Sequence, residues 1–400
     1  MLPAGIARPP GAPAGCVTRN LRAGAVFPDT MPSMAHLRAL AGACALLLLL
    51  VAAPIASAAS TGGASTGSTP APAPSTPAAT STSDPLAGNG MWIWNIPNTE
   101  RGDPVAIGAR ARKAGLSFVV VKAAHGATRW SGFTAPFIAA LHAQGLKVCG
   151  YQRVQSTAPT TQAKVLAAQV RLGADCAVID AESELEGRYA TATTYMRTLR
   201  AGLGTRFPIA LTSFPWIGYH PTFPYSVFLG PGGAQVNMPQ IYWKDIGVTV
   251  DTAFANTYPS NSVFGRPIRP IGQLYQRPSG TDIQRFRTLT RRYGSTGQSW
   301  WVWEQAQASA WTTLGKPAPA TTARAVVPPT LRVGARTDLV RWARIRLARF
   351  GAPVNVTSPV FDAALRAAVT AFQGARGLPQ TGAVDPATWA KLIPVYALRR

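Results

Sequence analysis

Short runs of β-branched and aromatic residues recur through the middle of the chain, with amphipathic or alanine-rich stretches between them. Eight stand out: MWIWNI from Met91, FVVVKAA from Phe118, KVCGYQR from Lys147, CAVIDAE from Cys176, PIALTSF from Pro208, QVNMPQIYW from Gln235, IRPIGQLYQ from Ile268 and SWWVWEQ from Ser299. Helical periodicity fits 104–114, 135–144, 161–172, 190–203 and 283–293, with Gly115, Gly145, Gly173, Gly204 and Gly294 placed to end those helices. Repeated strand–helix units build parallel sheets, and eight of them predict an α/β fold, a closed (β/α)8 TIM-like barrel. The connection 219–233 is rich in Pro, Phe and Gly and reads as a loop.

The flanks have a different texture. Residues 1–58 read as a leader with a signal peptide: Arg38 in a short basic start, an apolar run over 39–53, and Ala56-Ser57-Ala58 as a small-residue cleavage site, with translation starting at Met31 or Met34. The apolar run is shorter than the roughly 20 residues of a spanning helix, so no stable membrane anchor is expected, and Cys44 within it does not read as a lipid anchor. Residues 59–88, nearly all Ser, Thr, Pro, Ala and Gly, predict a disordered tether. A second linker, 313–329, separates a barrel domain, 89–312, from a C-terminal unit, 330–396, in which Val340, Leu347, Val369, Phe372, Leu378, Trp389 and Leu392 form the core by periodicity.

Charge narrows the partners. Lys and Arg number 39 against 16 Asp and Glu, a net charge of +23, which favours polyanionic surroundings. The basic residues are scattered rather than gathered into an arm, which argues against nucleic acid and for anionic cell-wall polymers. Cleavage of the leader removes Cys16 and Cys44 and leaves Cys149 and Cys176 for an oxidising compartment. Both precede their strand ends by about the same distance in neighbouring runs, so a disulfide and two buried thiols are both open.

In such barrels the chemistry sits at the carboxyl ends of the strands. There the fourth run ends in Asp180-Ala181-Glu182, and alternation points both carboxylates to one face. Crowding two carboxylates raises the pKa of one and leaves the other ionised, the pair that glycoside hydrolysis uses. Glu184 and Glu186 read as solvated loop charge. Glu304, after the eighth run, is either a third functional carboxylate or half of a buried ion pair with an arginine. Trp92, Trp94, Trp243, Trp301 and Trp303 lie on strand runs, where they stack on sugar or fill the core. Trp92 and Trp243, with Lys122, Tyr151, Gln240, Tyr242 and Gln273 near strand ends, make up the candidate substrate-binding set. His125, His142 and His220 form no cluster with cysteine, so neither a metal nor another cofactor is expected. Cys149 and Cys176 belong to apolar strands, which argues against a thiol nucleophile.

Two resemblances add to this reading. LRVGARTDLVRWARIRL from Leu331, Phe361, AALRAAVTAFQGARGLPQTGAV and DPATWAKL resemble the peptidoglycan-binding type 1 domain, through the spacing of Ala368, Phe372, Gln373, Gly377-Leu378, Thr381-Gly382, Thr388-Trp389 and Leu392. That implies a small all-α module of three helices with peptidoglycan as partner. It departs at Phe361-Asp362-Ala363, where the family carries glycines. FVVVKAAHG, GYQRV and IDAE are similar to the glycoside hydrolase family 25 lysozymes. The resemblance implies Asp180 and Glu182 as catalytic carboxylates, with Glu182 the proton donor. At the end of the first strand the family has a functional Asp, whereas GMWIWN here offers Trp92 or Asn95, leaving Glu304 as a substitute. Together these imply an exported, cell-wall-associated, monomeric, muramidase-like bacterial hydrolase of peptidoglycan. The alternatives are a degenerate barrel that binds glycan without cutting it and a hydrolase of another envelope polysaccharide.

Overall fold

A computed structural model describes residues 84–393. The signal peptide with its cleavage site, Cys16, Cys44, the tether as far as residue 83 and residues 394–396 of the C-terminal unit lie outside the described residues.

From the amino end the elements are β1 (Gly88–Ile93), α1 (Pro104–Lys113), β2 (Phe118–His125), β3 (Thr128–Arg129), α2 (Ala135–Ala143), β4 (Lys147–Arg153), α3 (Pro159–Val170), β5 (Cys176–Asp180), α4 (Tyr189–Leu203), β6 (Ile209–Ser213), α5 (Tyr225–Phe228), β7 (Val236–Ile241), α6 (Trp243–Ile246), α7 (Val250–Ser262), β8 (Ile271–Gln273), α8 (Gly280–Arg292), β9 (Gly297–Trp301) and α9 (Ala308–Leu314). Three helices follow: α10 (Asp338–Ala348), α11 (Ala363–Ala375) and α12 (Pro386–Leu392). Among the described residues, eight parallel strands pair in the order β1-β2-β4-β5-β6-β7-β8-β9 and β9 returns to β1, closing the barrel. The short β3 is antiparallel and adds only to the end of β2.

Strand alternation divides the apolar residues into two cores. Trp92, Phe118, Val120, Cys149, Tyr151, Cys176, Val178, Met238 and Ile271 fill the barrel, while Met91, Val119, Val121, Val148, Ala177 and Ile179 face the helices. Burial on both faces explains why CAVI reads as an unbroken apolar run. Each large aliphatic side chain so placed contributes about 1.5–3 kcal/mol. The helices end on glycines in the left-handed region, for example Gly115 at φ 65° and Gly294 at φ 76°.

The ordered fold begins inside the expected tether. Leu86 is buried in the barrel interior and Asp84 pairs with Arg269 at 2.7 Å. At the other end α9 runs two residues into the expected linker, where Thr313 and Leu314 are buried. Helix α7 is absent from the sequence reading because its inward stripe is broken by Thr257 and Asn261 and its interior holds Pro259. Those polar groups are satisfied: Asn261 Nδ2 donates to the carbonyls of Pro215 and Thr257, and its Oδ1 accepts from Asn237. Between β6 and β7 the chain is mostly irregular, with only the four-residue α5 and one 3-10 turn.

Barrel and C-terminal helices form one compact unit. In the three-helix module, Val340, Leu347, Leu365, Val369, Trp389 and Leu392 make the core, and buried Gln373 ties Gly382, Ala383 and Thr388 together. Helix α10 lies against the barrel: Trp342 Nε1 donates to the Val263 carbonyl at 2.7 Å, and Asp338 accepts from the backbone and hydroxyl of Ser226 at 2.7 and 2.6 Å. Among the described residues no helix is long and apolar enough to cross a membrane.

Candidate active site

The inward positions nearest the carboxyl ends of the strands are polar. Continuing the interior rows upward, Phe118 and Val120 lead to Lys122, Cys149 and Tyr151 to Arg153, Cys176 and Val178 to Asp180, and Met238 to Gln240. Glu182 keeps an extended backbone (φ −136°, ψ −145°) and stays on the face of Asp180. The IDAE run thus brings two carboxyl groups into the mouth.

Arg153 organises them. Its Nη1 stands 2.5 Å from Glu182 Oε1 and 3.6 Å from Asp180 Oδ1, and its Nη2 meets both oxygens of Glu184 at 2.8 and 2.9 Å. Gln240 Nε2 donates to Glu182 Oε1 at 3.0 Å and to Asp180 Oδ1 at 3.4 Å. The two carboxyl groups also hydrogen-bond to each other, and their pKa values part. Burial, reinforced by the charge of Glu182, pushes Asp180 up to about 8 against the pull of Arg153. Glu182 goes down: burial opposes its charge, but the charge and hydrogen bond of Arg153 outweigh it. At neutral pH the proton of the pair therefore rests on Asp180, with Glu182 the anion beside it.

Arg153 escaped the sequence reading, although the alternation of KVCGYQR sets it on the face of Cys149 and Tyr151. Glu184 is not simply solvated, since it is the third carboxylate on Arg153. Glu186 turns away from the mouth to His220 Nδ1 at 2.6 Å, and the His220 ring stacks on Phe214.

Among the described residues no arginine pairs with Glu304, so the foreseen ion pair is absent. Glu304 Oε1 accepts from the Asn95 backbone at 2.5 Å and from Thr99 Oγ1 at 3.0 Å, which pins the segment after β1, and burial raises its pKa. Asn95 caps the turn that follows β1, its side chain accepting from the Asn98 backbone. Tyr151 lies among the rings of Trp92 and Trp301, with centroids 4.9 and 6.1 Å away, and burial holds its hydroxyl protonated. Trp92 itself is core, its Nε1 donating to Ser299 Oγ at 2.9 Å. The Lys122 ammonium sits 3.9 Å from the Trp130 ring centroid and 5.6 Å from that of Trp94. Tyr242 packs edge-on against Tyr275 at the mouth.

Two candidates leave the substrate-binding set. Trp243 begins α6 and is buried against Phe286 in the outer core, because the strand ends at Ile241 and alternation no longer applies. Gln273 spends its carbonyl oxygen on the Lys244 backbone at 2.8 Å and so braces the β7 loop. Cys149 and Cys176 are register partners on β4 and β5, 4.6 Å apart at Cα, and their sulfurs are bonded. Among the described residues no three His, Cys, Asp or Glu side chains are arranged to hold a metal ion.

Residues 336–392 match the model of the family described as putative peptidoglycan binding domain. No curated protein matches the chain. Among solved structures, it is similar to a class V chitinase from Pseudomonas fluorescens, with 12% identity, 57% of this chain and 98% of that one covered, and a TM-score of 0.43. A chitinase from Chromobacterium violaceum gives 11% identity, 57% and 98% coverage and a TM-score of 0.42. The spore cortex-lytic enzyme SleL of Bacillus megaterium gives 7% identity, 57% and 73% coverage and a TM-score of 0.38.

Proposed function

We propose that the protein is an exported, cell-wall-associated glycoside hydrolase, muramidase-like in its substrate, which its C-terminal module holds on peptidoglycan. The observation that carries the reading is the Asp180–Glu182 pair, two hydrogen-bonded carboxyl groups in one barrel mouth with pKa values displaced in opposite directions. The match of residues 336–392 supports peptidoglycan as the ligand of the module, and the net charge of +23 suits an anionic wall.

Carboxyl groups in hydrogen-bond contact are too close to flank a glycosidic bond, whose two carboxylates stand about 5 Å or more apart. The pair therefore works from one side. The Asp180 proton passes through Glu182 to the leaving oxygen as the bond breaks. Water then attacks the anomeric carbon, Glu182 takes its proton, and that proton returns to Asp180. Arg153 and Gln240 hold Glu182 in place between the two transfers. The half-buried rings of Trp94, Tyr242 and Trp301 offer apolar faces to sugar.

Glu182→Gln tests the reading. Reducing ends released from purified peptidoglycan should fall by about 10²- to 10⁴-fold, the usual worth of a general acid–base group, while sedimentation with walls stays as in wild type. Undiminished release would remove Glu182 from the mechanism.

One observation favours a second reading, a barrel that binds wall glycan without cutting it: Arg153 already occupies Glu182 and Glu184, and Glu304 is committed to Asn95 and Thr99. Wild-type protein that sediments with walls yet liberates no reducing ends would select it.

A further inference from the structure

Away from the mouth, a cavity of about 680 Å³ opens between α4, the segment before β7 and α10 of the module. That volume falls in the range of roughly 300–1,000 Å³ that accommodates small organic ligands. Four arginines line it, Arg197 and Arg200 on α4, Arg266 after α7 and Arg341 on α10, and no lining residue is acidic. Among the described residues Arg200 donates only to neutral oxygens, the carbonyls of Gly204, Thr205, Phe207, Gly232 and Gly233 and the side chain of Gln235, so its charge is held in place without being cancelled. Burial, with a smaller push from the charge of Arg266, brings its pKa down to about 10. Arg266 donates to the carbonyls of Leu229 and Gly230. Arg197 is exposed and has no partner among the described residues. Arg341 uses Nη1 on Ser226 Oγ and lies over the Tyr189 ring. Asp338, the carboxylate set against Arg341, is behind the wall and accepts two hydrogen bonds from Ser226.

We infer that this seam cavity binds an organic phosphate, gripped by Arg197 and Arg341 in the field of Arg200 and Arg266, with its carbon portion against Met196 and Ile345. Arg197, Arg200 and Arg341 against the one carboxylate of Asp338 leave about two positive charges, more than a single carboxylate ligand would balance, whereas a phosphomonoester brings about two negative charges and three acceptor oxygens. Guanidinium forks match those oxygens in pairs. The apolar wall and the volume call for more than the bare ion. Because the grip draws on both α4 and α10, a bound phosphate clamps the module to the barrel.

Calorimetric titration of the full chain tests this with glycerol 3-phosphate, inorganic phosphate, glycerol and a poly(glycerol phosphate) chain as probes. Saturable binding of glycerol 3-phosphate is expected at one site, at least tenfold tighter than inorganic phosphate, with none for glycerol. Arg197→Glu should weaken it tenfold or more and leave the unliganded melting temperature unchanged, since Arg197 supports nothing in the fold. Arg341→Ala should weaken it as well. Polymer bound more tightly than glycerol 3-phosphate identifies a wall phosphodiester as the source, and the opposite order a small phosphate ester. No saturation at millimolar glycerol 3-phosphate, or an affinity indifferent to Arg197→Glu, overturns the inference.

Discussion

Arg153 Nη1 lies 2.5 Å from Glu182 Oε1, while Nη2 of the same guanidinium holds Glu184 at 2.8 Å. The same cation that holds Glu182 below its ordinary pKa stands beside Asp180, which burial pushes up to about 8. Replacing Arg153 with Met leaves Glu182 and Glu184 crowded and unpaired in a largely buried mouth. Removing one partner of a buried pair costs about 3–5 kcal/mol, and urea unfolding should register a loss of that order. Without the cation, the Glu182 pKa rises. The acid limb of kcat/KM on peptidoglycan should therefore move to higher pH, and an unmoved limb would show that Arg153 does not set the charge of Glu182.

Asp180 supplies a pH prediction of the opposite sense. Its folded pKa, about 8, lies above its ordinary 3.8, so between these values the native state keeps a proton that the unfolded chain has released. Its contribution to stability is complete below about pH 4 and is lost as pH rises through 8, with a slope on the order of 1 kcal/mol per pH unit. Glu182, depressed, acts oppositely and only on the acid side, below its ordinary 4.5. Asp180→Asn removes the titrating group, so the melting temperature should decline less between pH 5 and 8 than in wild type. Parallel curves for the two proteins would place the proton elsewhere. In wild type the alkaline limb of activity belongs to the same pair, and Asp180→Asn, which has no proton to pass to Glu182, should lose release of reducing ends by about 10²-fold or more.

The barrel was legible because parallel strands buried on both faces leave unbroken apolar runs, CAVI and FVVV among them, separated by helices that end on glycine. The closeness of Asp180 and Glu182 follows from alternation along one strand, which is local. What was missed depends on contacts far apart in sequence. Arg153 meets Glu182 across two strands, and the attachment of Glu304 to Asn95 requires the barrel to close. Trp243 shows the limit of alternation, since two residues beyond Ile241 the chain has already turned into a helix. Helix α7 hid because its buried Asn261 and Thr257 are paid for by hydrogen bonds that no periodicity reveals.

Cys149 and Cys176 face each other within the barrel interior, 27 residues apart in sequence. Closing a loop of that length stabilises by about 3.5 kcal/mol in the chain-entropy model. Intact protein alkylated without reduction should gain no mass at these two cysteines. Cys149→Ala with Cys176→Ala should lower the urea midpoint correspondingly, since the paired sulfurs are wholly buried and two small cavities add to the loss. Two modified thiols in the unreduced protein would exclude the bond.

The seam between barrel and module rests on Asp338 and Trp342. Truncating Asp338 to Ala strands the backbone N–H and hydroxyl of Ser226, at about 1–3 kcal/mol for the unmet groups. Trp342→Ala empties a fully buried site, at about 3–5 kcal/mol. Residues 317–330, which have no regular structure, connect the two parts, so loosening the seam should appear first as faster proteolytic cleavage there, ahead of any change in the barrel. Burial raises the Asp338 pKa to about 6 from 3.8. Its contribution is therefore full below about pH 4 and lost as pH rises through 6. Cleavage of the wild-type segment should accelerate across that window, whereas Asp338→Asn, which keeps an acceptor for Ser226 but cannot titrate, should be cut at a rate that does not follow pH once the protease's own pH dependence is divided out on an unstructured peptide. A pH-dependent rate that persists in Asp338→Asn would assign the seam's sensitivity to another group.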